Sequence, residues 1–380
     1  MKKKILIISE RRADYSKFRP VIKEIEKSKN LDYYLIVTGS HLLKEYGHTI
    51  NEIKNDGFKI NSKFQMYEKN NNNSGAAMAS AIGKSIIFLS NKIQEIKPDI
   101  ILSGFDIGSN LAASIVGAHM NILVAHLEGG EVSGTIDESI RHAITKFAHI
   151  HFTTNPSASK RLIKMGEKSK YVHTVGNPSL DSIKNIKLIP KKELEDEFGI
   201  DLTNPFVLVM QHTVTSEIDN VDRYMKNTID AINELKIQAI IIRGNADAGS
   251  KNISKIIKNS KIKQYAALPF EKYINLLKYA DVLVGNSSSG IMEAPFLKIP
   301  SINIGTRQSG RLHSESVIDV GYSKNQIKNA IQKIVSNDKF KKKIKFQKYL
   351  YGNGNSSLKI VNLLETIDFT KIPIQKKLTY

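Results

Sequence analysis

The sequence predicts an α/β protein built as two Rossmann-like domains that face each other across a cleft. Three observations lead there. Short apolar runs alternate with helical periodicity from end to end, the pattern of parallel strands joined by covering helices. The alternation restarts beyond Lys184–Phe198, a Lys/Glu-rich stretch that contains Pro190 and reads as a linker. The 380 residues exceed one ordinary domain and suit two.

In the first half Lys4–Ser9 reads as a strand, followed by a helix from about Tyr15. Tyr33–Thr38 is a second strand, and Ala76–Ile96 a long helix closed by Lys97-Pro98-Asp99. Ile100–Ser103 is a buried strand, Leu111–His119 a helix, and Ile122–His126 and Ile150–Thr153 further strands. The polar run Asn70–Ser74 is expected to be a mobile loop. In the second half Phe206–Met210, Ala239–Ile242, Ala266–Leu268 and Val282–Val284 read as strands, and another short strand precedes Gly305. The expected domains are residues 1–180 and 181–354, joined near 176–190. The last helix, near Ser356–Thr366 within 355–380, is expected to pack back on the first.

Composition narrows the function. Apolar residues make up 41% and charged residues 24%, as in a globular protein. Cysteine is absent, which excludes disulfides, zinc-thiolate sites and a thiol nucleophile. The apolar run Ile5–Ile8 is too short for a signal peptide, and no stretch approaches a membrane span. A cytoplasmic protein with no membrane partner is expected. The net charge of +19 is scattered over the chain without aromatic interleaving, which argues against a nucleic-acid partner. A basic field does attract anionic small molecules.

Chemistry-bearing residues gather after strands, where open α/β sheets bind ligands. Arg11-Arg12-Ala13-Asp14 follows the first strand: an arginine there suits a phosphate, and a capped surface turn is the alternative reading. No GxGxxG follows, which argues against a dinucleotide dehydrogenase. In Ser103–Asn110, Asp106 either faces the cleft or, like Ser109 and Asn110, caps the next helix. Ala125–Lys146 is densest, with His126 and Glu128 at a strand end, Gly129-Gly130, then a helix carrying Asp137, Glu138, Arg141 and His142. Crowded carboxylates beside imidazoles suit proton transfer. His212 follows the first strand of the second half and could meet a diphosphate, although a lone histidine is more often structural. Gly285-Asn286-Ser287-Ser288-Ser289-Gly290 makes a small-residue loop fit to cradle phosphate, with Glu293 placed for ribose hydroxyls and no Walker lysine. Arg307 and Arg311 lie in a glycine-containing loop suited to an anion or to solvent.

Taken in order, these segments resemble the hydrolysing UDP-N-acetylglucosamine 2-epimerases of the glycosyltransferase-B-like superfamily. Within that family the segments are similar to those of the bacterial sialic-acid pathway enzymes and of the epimerase half of the animal epimerase/kinase. The matching stretches are Arg12–Lys17 (RADYSK), Gly39–Thr49 (GSHLLKEYGHT), Leu127–Lys146 (LEGGEVSGTIDESIRHAITK), Gln211–Glu217 (QHTVTSE), Asn245–Ser250 (NADAGS), Gly285–Gly290 (GNSSSG) and Ile302–Arg311 (INIGTRQSGR).

The resemblance implies elimination of UDP across C1–C2 to a 2-acetamidoglucal, then hydration to a free manno-configured sugar. It implies neither a cofactor nor a metal. It assigns Glu128 and Glu138, with Asp106 and His212, to catalysis. Arg12, Ser287, Ser288, Ser289, Gly290 and Glu293 are assigned to the nucleotide-sugar, and Arg141, His142, Asn245, Arg307 and Arg311 are expected to join them. A homo-oligomer, dimer or tetramer, is expected. One departure stands out. The family pattern His-Gly-Asp-Arg plus an acid after the fourth strand is replaced by Ser103-Gly104-Phe105-Asp106-Ile107-Gly108-Ser109, without the arginine and the following acid. The less polar segment suits a 6-deoxy sugar such as a nucleotide-linked 2,4-diacetamido-2,4,6-trideoxyglucose.

Overall fold

The computed structural model describes residues 2–68 and 74–379, so the expected loop Asn70–Ser74 lies, apart from Ser74, outside the described residues. The first half is a seven-stranded sheet in the order β3-β2-β1-β4-β5-β6-β7. Its strands are β1 (Lys3–Ser9), β2 (Leu31–Val37), β3 (Ile60–Lys63), β4 (Ile100–Gly104), β5 (Leu123–Leu127), β6 (Ile150–Thr153) and β7 (Val172–Thr174). The second half is a six-stranded sheet in the order β10-β9-β8-β11-β12-β13. It comprises β8 (Phe206–Met210), β9 (Gln238–Ile242), β10 (Lys263–Tyr265), β11 (Val282–Gly285), β12 (Ser301–Ile304) and β13 (Val317–Val320). The pairings of β1 with β2 and β4, and of β8 with β9 and β11, are parallel.

Each sheet is packed on both faces. In the first, Ile5, Ile7, Leu102 and Ala125 lie in one core, and Leu6, Ile8, Ile101 and Val124 in the other. In the second, Leu208 and Leu283 face one core, and Val207, Val209, Val282 and Val284 the other. This double burial makes the central strands continuous apolar runs, and hence readable. The edge strands β3, β7, β10 and β13 are only partly covered. Accordingly β3, β7 and β13 escape a search for apolar runs. The expected strand Ala266–Leu268 is corrected to Lys263–Tyr265, because the apolar run belongs to the chain leaving the edge strand, with Leu268 in the second core. The expected linker Lys184–Phe198 contains a helix, Lys191–Phe198, whose Leu194 and Phe198 are buried in the same core.

Helix boundaries follow local chemistry. Helix Arg12–Lys27 starts where Asp14 accepts from Ser9 Oγ (2.7 Å) and the Glu10 amide (2.7 Å). Helix Gly75–Ile96 begins at Ser74, whose hydroxyl accepts from the Ala77 amide, and ends at Lys97 in the left-handed region before Pro98. Among the described residues no helix is long and apolar enough to cross a membrane.

The chain returns to the first sheet at its end. Ile360, Val361 and Leu364 of helix Ser356–Thr366 lie in one core with Phe18, Ile22 and Ile25. The helix is fixed at its start by Asp181, which accepts from the amides of Ser356 (2.9 Å) and Ser357 (2.6 Å) and from the Ser357 hydroxyl. A buried carboxylate at a helix N-terminus satisfies free amides and complements the dipole. Asp181→Ala is therefore expected to cost about 2 kcal/mol and to lower the thermal midpoint by several degrees. Calorimetry giving an unchanged midpoint would refute this anchoring role.

Candidate active site

Both sheets reverse their strand order beside their first strand, at β1/β4 and at β8/β11. A crevice opens outside the carboxyl ends at such a point, because successive connections leave to opposite faces. The two crevices face each other. The cleft encloses about 1080 Å³ of non-atom space, part of it open to solvent.

Arg12, Asp106, Glu128, Arg141, His212, Asn245, Ser287, Ser288, Ser289, Glu293, Arg307 and Arg311 of the expected set line the cleft. Glu138, His142 and Gly290 are not among its lining residues. The wall also includes Arg11 and Asp137, which the sequence placed in candidate segments without a named role, and Lys17, Tyr273 and Gln308, to which it assigned none.

Two backbone kinks build the first-half wall. Phe105 after β4 has φ 67° and Glu128 after β5 has φ 60°, a left-handed conformation that side chains other than glycine seldom adopt. Each kink is tied to the next strand, Phe105 N–H to Leu127 O (2.9 Å) and Glu128 N–H to Phe152 O (2.9 Å). His126 lies at the end of β5 as expected, but its side chain is fully buried beneath this turn and does not line the cleft, with Nε2 3.0 Å from Phe105 O. Burial pushes its pKa down to about 3, so it stays neutral and braces the kink.

Lys17 lies on the face of helix Arg12–Lys27 turned to the cleft. Its ammonium is 2.8 Å from Glu128 Oε2 and sits over the Phe105 ring. Glu128 Oε1 is buried and has no hydrogen-bond partner. Arg141 donates to a second carboxylate of this wall, Asp106, and to Glu131 O (3.3 Å). Burial alone would raise the Asp106 pKa, but the guanidiniums of Arg141 and Arg11 outweigh it and hold the group below the usual carboxylate range.

Of the two adjacent acids on the next helix, Asp137 lines the cleft and Glu138, the one expected there, does not. Thr135 caps helix Ile136–Phe147, with its side chain accepting from Asp137 N. The Glu138 side chain folds back to accept from Ser133 N–H (2.7 Å), leaving it beside His142 outside the cleft lining. Its neighbour, about 100° around the helix, lines the cleft. Burial, then the nearby Asp106, push the Asp137 carboxyl up, and Arg307 opposes this across the cleft at 3.4 Å.

The second-half wall is a backbone and hydroxyl surface. Asn286 locks the His212 turn, accepting from His212 N–H (2.6 Å) and donating to His212 O (2.9 Å). His212 Nδ1 is buried without a partner. Burial, with Arg307 and Arg12 nearby, holds the imidazole pKa well below its ordinary value, hence neutral. Gly285, at φ 140°, lets the chain pass Met210, because a Cβ there would lie 2.1 Å from Met210 O. Ser287 then caps a short turn, Ser288–Gly290, ahead of helix Glu293–Phe296. Glu293 accepts from Ser179 Oγ (2.6 Å), and Tyr273 meets Ser289 Oγ. Arg307 donates to Asn286 O (3.2 Å), and Arg311 reaches across the cleft to Glu131 (3.4 Å).

A family model described as UDP-N-acetylglucosamine 2-epimerase matches residues 23–365. The chain belongs to the UDP-N-acetylglucosamine 2-epimerase family. Among 2-epimerase relatives, it is 39% identical over 342 residues to the UDP-N-acetylglucosamine 2-epimerase of Neisseria meningitidis serogroup B, covering 89% of each chain. It is 36% identical over 371 residues, 97% of each chain, to the UDP-N,N'-diacetylbacillosamine 2-epimerase (hydrolyzing) of Legionella pneumophila. The fold is that of the solved N. meningitidis UDP-GlcNAc 2-epimerase bound to UDP-GlcNAc, with a TM-score of 0.81 at 20% identity over 95% of this chain and 99% of that one.

The placement of the two adjacent acids makes a direct comparison possible in this 2-epimerase. Asp137→Asn is expected to lower kcat by about 100-fold or more, and Glu138→Gln by less than about tenfold. Steady-state kinetics with the opposite ranking would refute the assignment.

Proposed function

We propose that the protein is a hydrolysing 2-epimerase that converts UDP-N-acetylglucosamine to UDP and N-acetylmannosamine in the cytoplasm. The observation that carries this reading is Glu128, a buried cleft carboxylate with one oxygen on Lys17 and the other free, on the wall opposite the serine loop. A carboxylate so placed is a base for the proton on C2 of the sugar. As that proton leaves, its electron pair forms C1=C2 and the C1–O bond breaks, releasing UDP. Water then adds its hydroxyl to C1 while a proton is delivered to C2 from the opposite face, giving the manno sugar.

Asp137, whose pKa is raised by burial and by Asp106, suits the acid that returns a proton. The hydroxyls and amides of Ser287–Ser289, with Arg12, Arg307 and neutral His212, suit the departing diphosphate. Glu293 would exchange its Ser179 contact for ribose hydroxyls. The two domains, taken as residues 1–180 with 355–380 and as 181–354, would close on the substrate and exclude water until the nucleotide leaves.

A second reading has its own support. Phe105 and Ile107 put apolar side chains beside Asp106 in the cleft, which favours a UDP-linked 2,4-diacetamido-2,4,6-trideoxy sugar. The names of relatives at 36% and 35% identity point the same way.

Incubation with each nucleotide-sugar in D2O, followed by NMR, separates the readings. Free UDP together with a free manno sugar deuterated at C2 is expected, and the substrate with the larger kcat/KM is the physiological class. A product still linked to UDP would make the enzyme non-hydrolysing, and two intact nucleotide-sugars would refute epimerase activity.

A further inference from the structure

Arg11 stands where the two halves meet. It immediately precedes helix Arg12–Lys27, and its backbone amide is held by Asp14 (3.3 Å), so the side chain leaves the β1 turn from a fixed base. Its guanidinium makes two ion pairs with different partners. Nη2 lies 3.4 Å from Asp106 in the turn after β4, and Nη1 lies 3.1 Å from Asp247 in the loop after β9 of the second half. The side chain is 11% exposed, and its Nε is buried without a partner.

The neighbouring residue reaches the same turn. The Glu10 carboxylate accepts from the Ser109 amide (2.9 Å) and from the Tyr67 hydroxyl (3.2 Å), which places it at the head of helix Gly108–His119. The segment Ser103–Ser109 itself carries no cation and a single acid, Asp106. A guanidinium and a carboxylate nevertheless stand there, both carried by the β1 turn.

The surroundings separate Arg11 from the phosphate-facing cations. Arg307 donates to Asn286 O beside the serine loop, so an incoming diphosphate competes directly for it. Arg11 faces the carboxylates of Asp247, Asp106, Asp137 and Glu10. Its charge is committed to organising acids. The two pairs are also unequal. Arg141 holds Asp106 from within the first half, whereas Asp247 reaches Arg11 only when the second half is in place.

We propose that Arg11 is a positioning residue that sets Asp106 in the cleft from the β1 turn and, through Asp247, makes that placement depend on closure of the two halves. The inference rests on the epimerase reading for its kinetic consequence. It does not rest on it for the Arg11–Asp247 coupling.

The test uses the full-length protein and its Arg11→Ala, Arg11→Lys and Asp247→Asn variants. Arg11→Ala is expected to lower kcat by about 100-fold, the scale of a misplaced catalytic group, with at least tenfold restored by added guanidinium at non-denaturing concentration. Arg11→Lys is expected to recover only part, because an ammonium does not span two carboxylates as a planar fork does. Asp247→Asn, which leaves the Asp106 pair intact, is expected to raise KM about tenfold with kcat within about threefold.

An Arg11→Ala enzyme within about threefold of the parent in kcat/KM would overturn the proposal. So would a loss that guanidinium does not restore and that accompanies a lowered melting temperature, since Arg11 would then serve folding alone. If the parent turns over no nucleotide-sugar, the epimerase reading fails. The coupling is then decided by UDP affinity in the double-mutant cycle of Arg11→Ala and Asp247→Asn, where additive effects refute it and coupled effects sustain it.

Discussion

In a parallel sheet whose connections wind in one direction and then the other, the turns beside the first strand are left uncovered. This occurs in both halves, at β1/β4 and at β8/β11. The cleft residues inherit their positions from it. Arg11 and Arg12 follow β1, Asp106 follows β4, His212 follows β8, and Ser287–Ser289 follow β11. The double burial of the central strands holds these turns rigidly, which is why polar and strained backbone can be tolerated at their ends.

Charge organises the cleft around that frame. Carboxylates at 106, 128 and 137 share one wall, and each is matched by a cation: Arg141 and Arg11, Lys17, and Arg307. Removing one partner from such a buried pair leaves the other charge uncompensated. The cross-cleft pairs Asp137–Arg307, Glu131–Arg311 and Asp247–Arg11 also join the halves electrostatically. An anionic substrate entering between them would compete with these carboxylates for their cations.

The readable parts of the sequence are those whose signal is local. Strands buried on both faces are apolar runs, so β1, β4, β5, β8 and β11 could be placed from sequence. The partly covered edge strands could not. The serine loop is readable because small residues between a strand and a helix have few other uses. Lys17 was missed because its role requires a long side chain to reach Glu128, 111 residues away in sequence. The resemblance pointed to Glu138; which of the adjacent acids Asp137 and Glu138 lines the cleft depends on where Thr135 caps the helix and on the Ser133 amide that captures Glu138.

By itself the sequence determined the fold class, the restart into a second half, the small-residue serine loop between strand and helix and the membership of a nucleotide-sugar epimerase family, because each is written in periodicity or in contiguous motifs. Tertiary structure decided which acid of a pair faces the cleft, which cation holds each carboxylate, and that Glu10 and Arg11 of one turn occupy the turn of another strand. Those outcomes depend on distances between residues remote in the chain, set by strand order and by side-chain reach, and neither is encoded in local spacing.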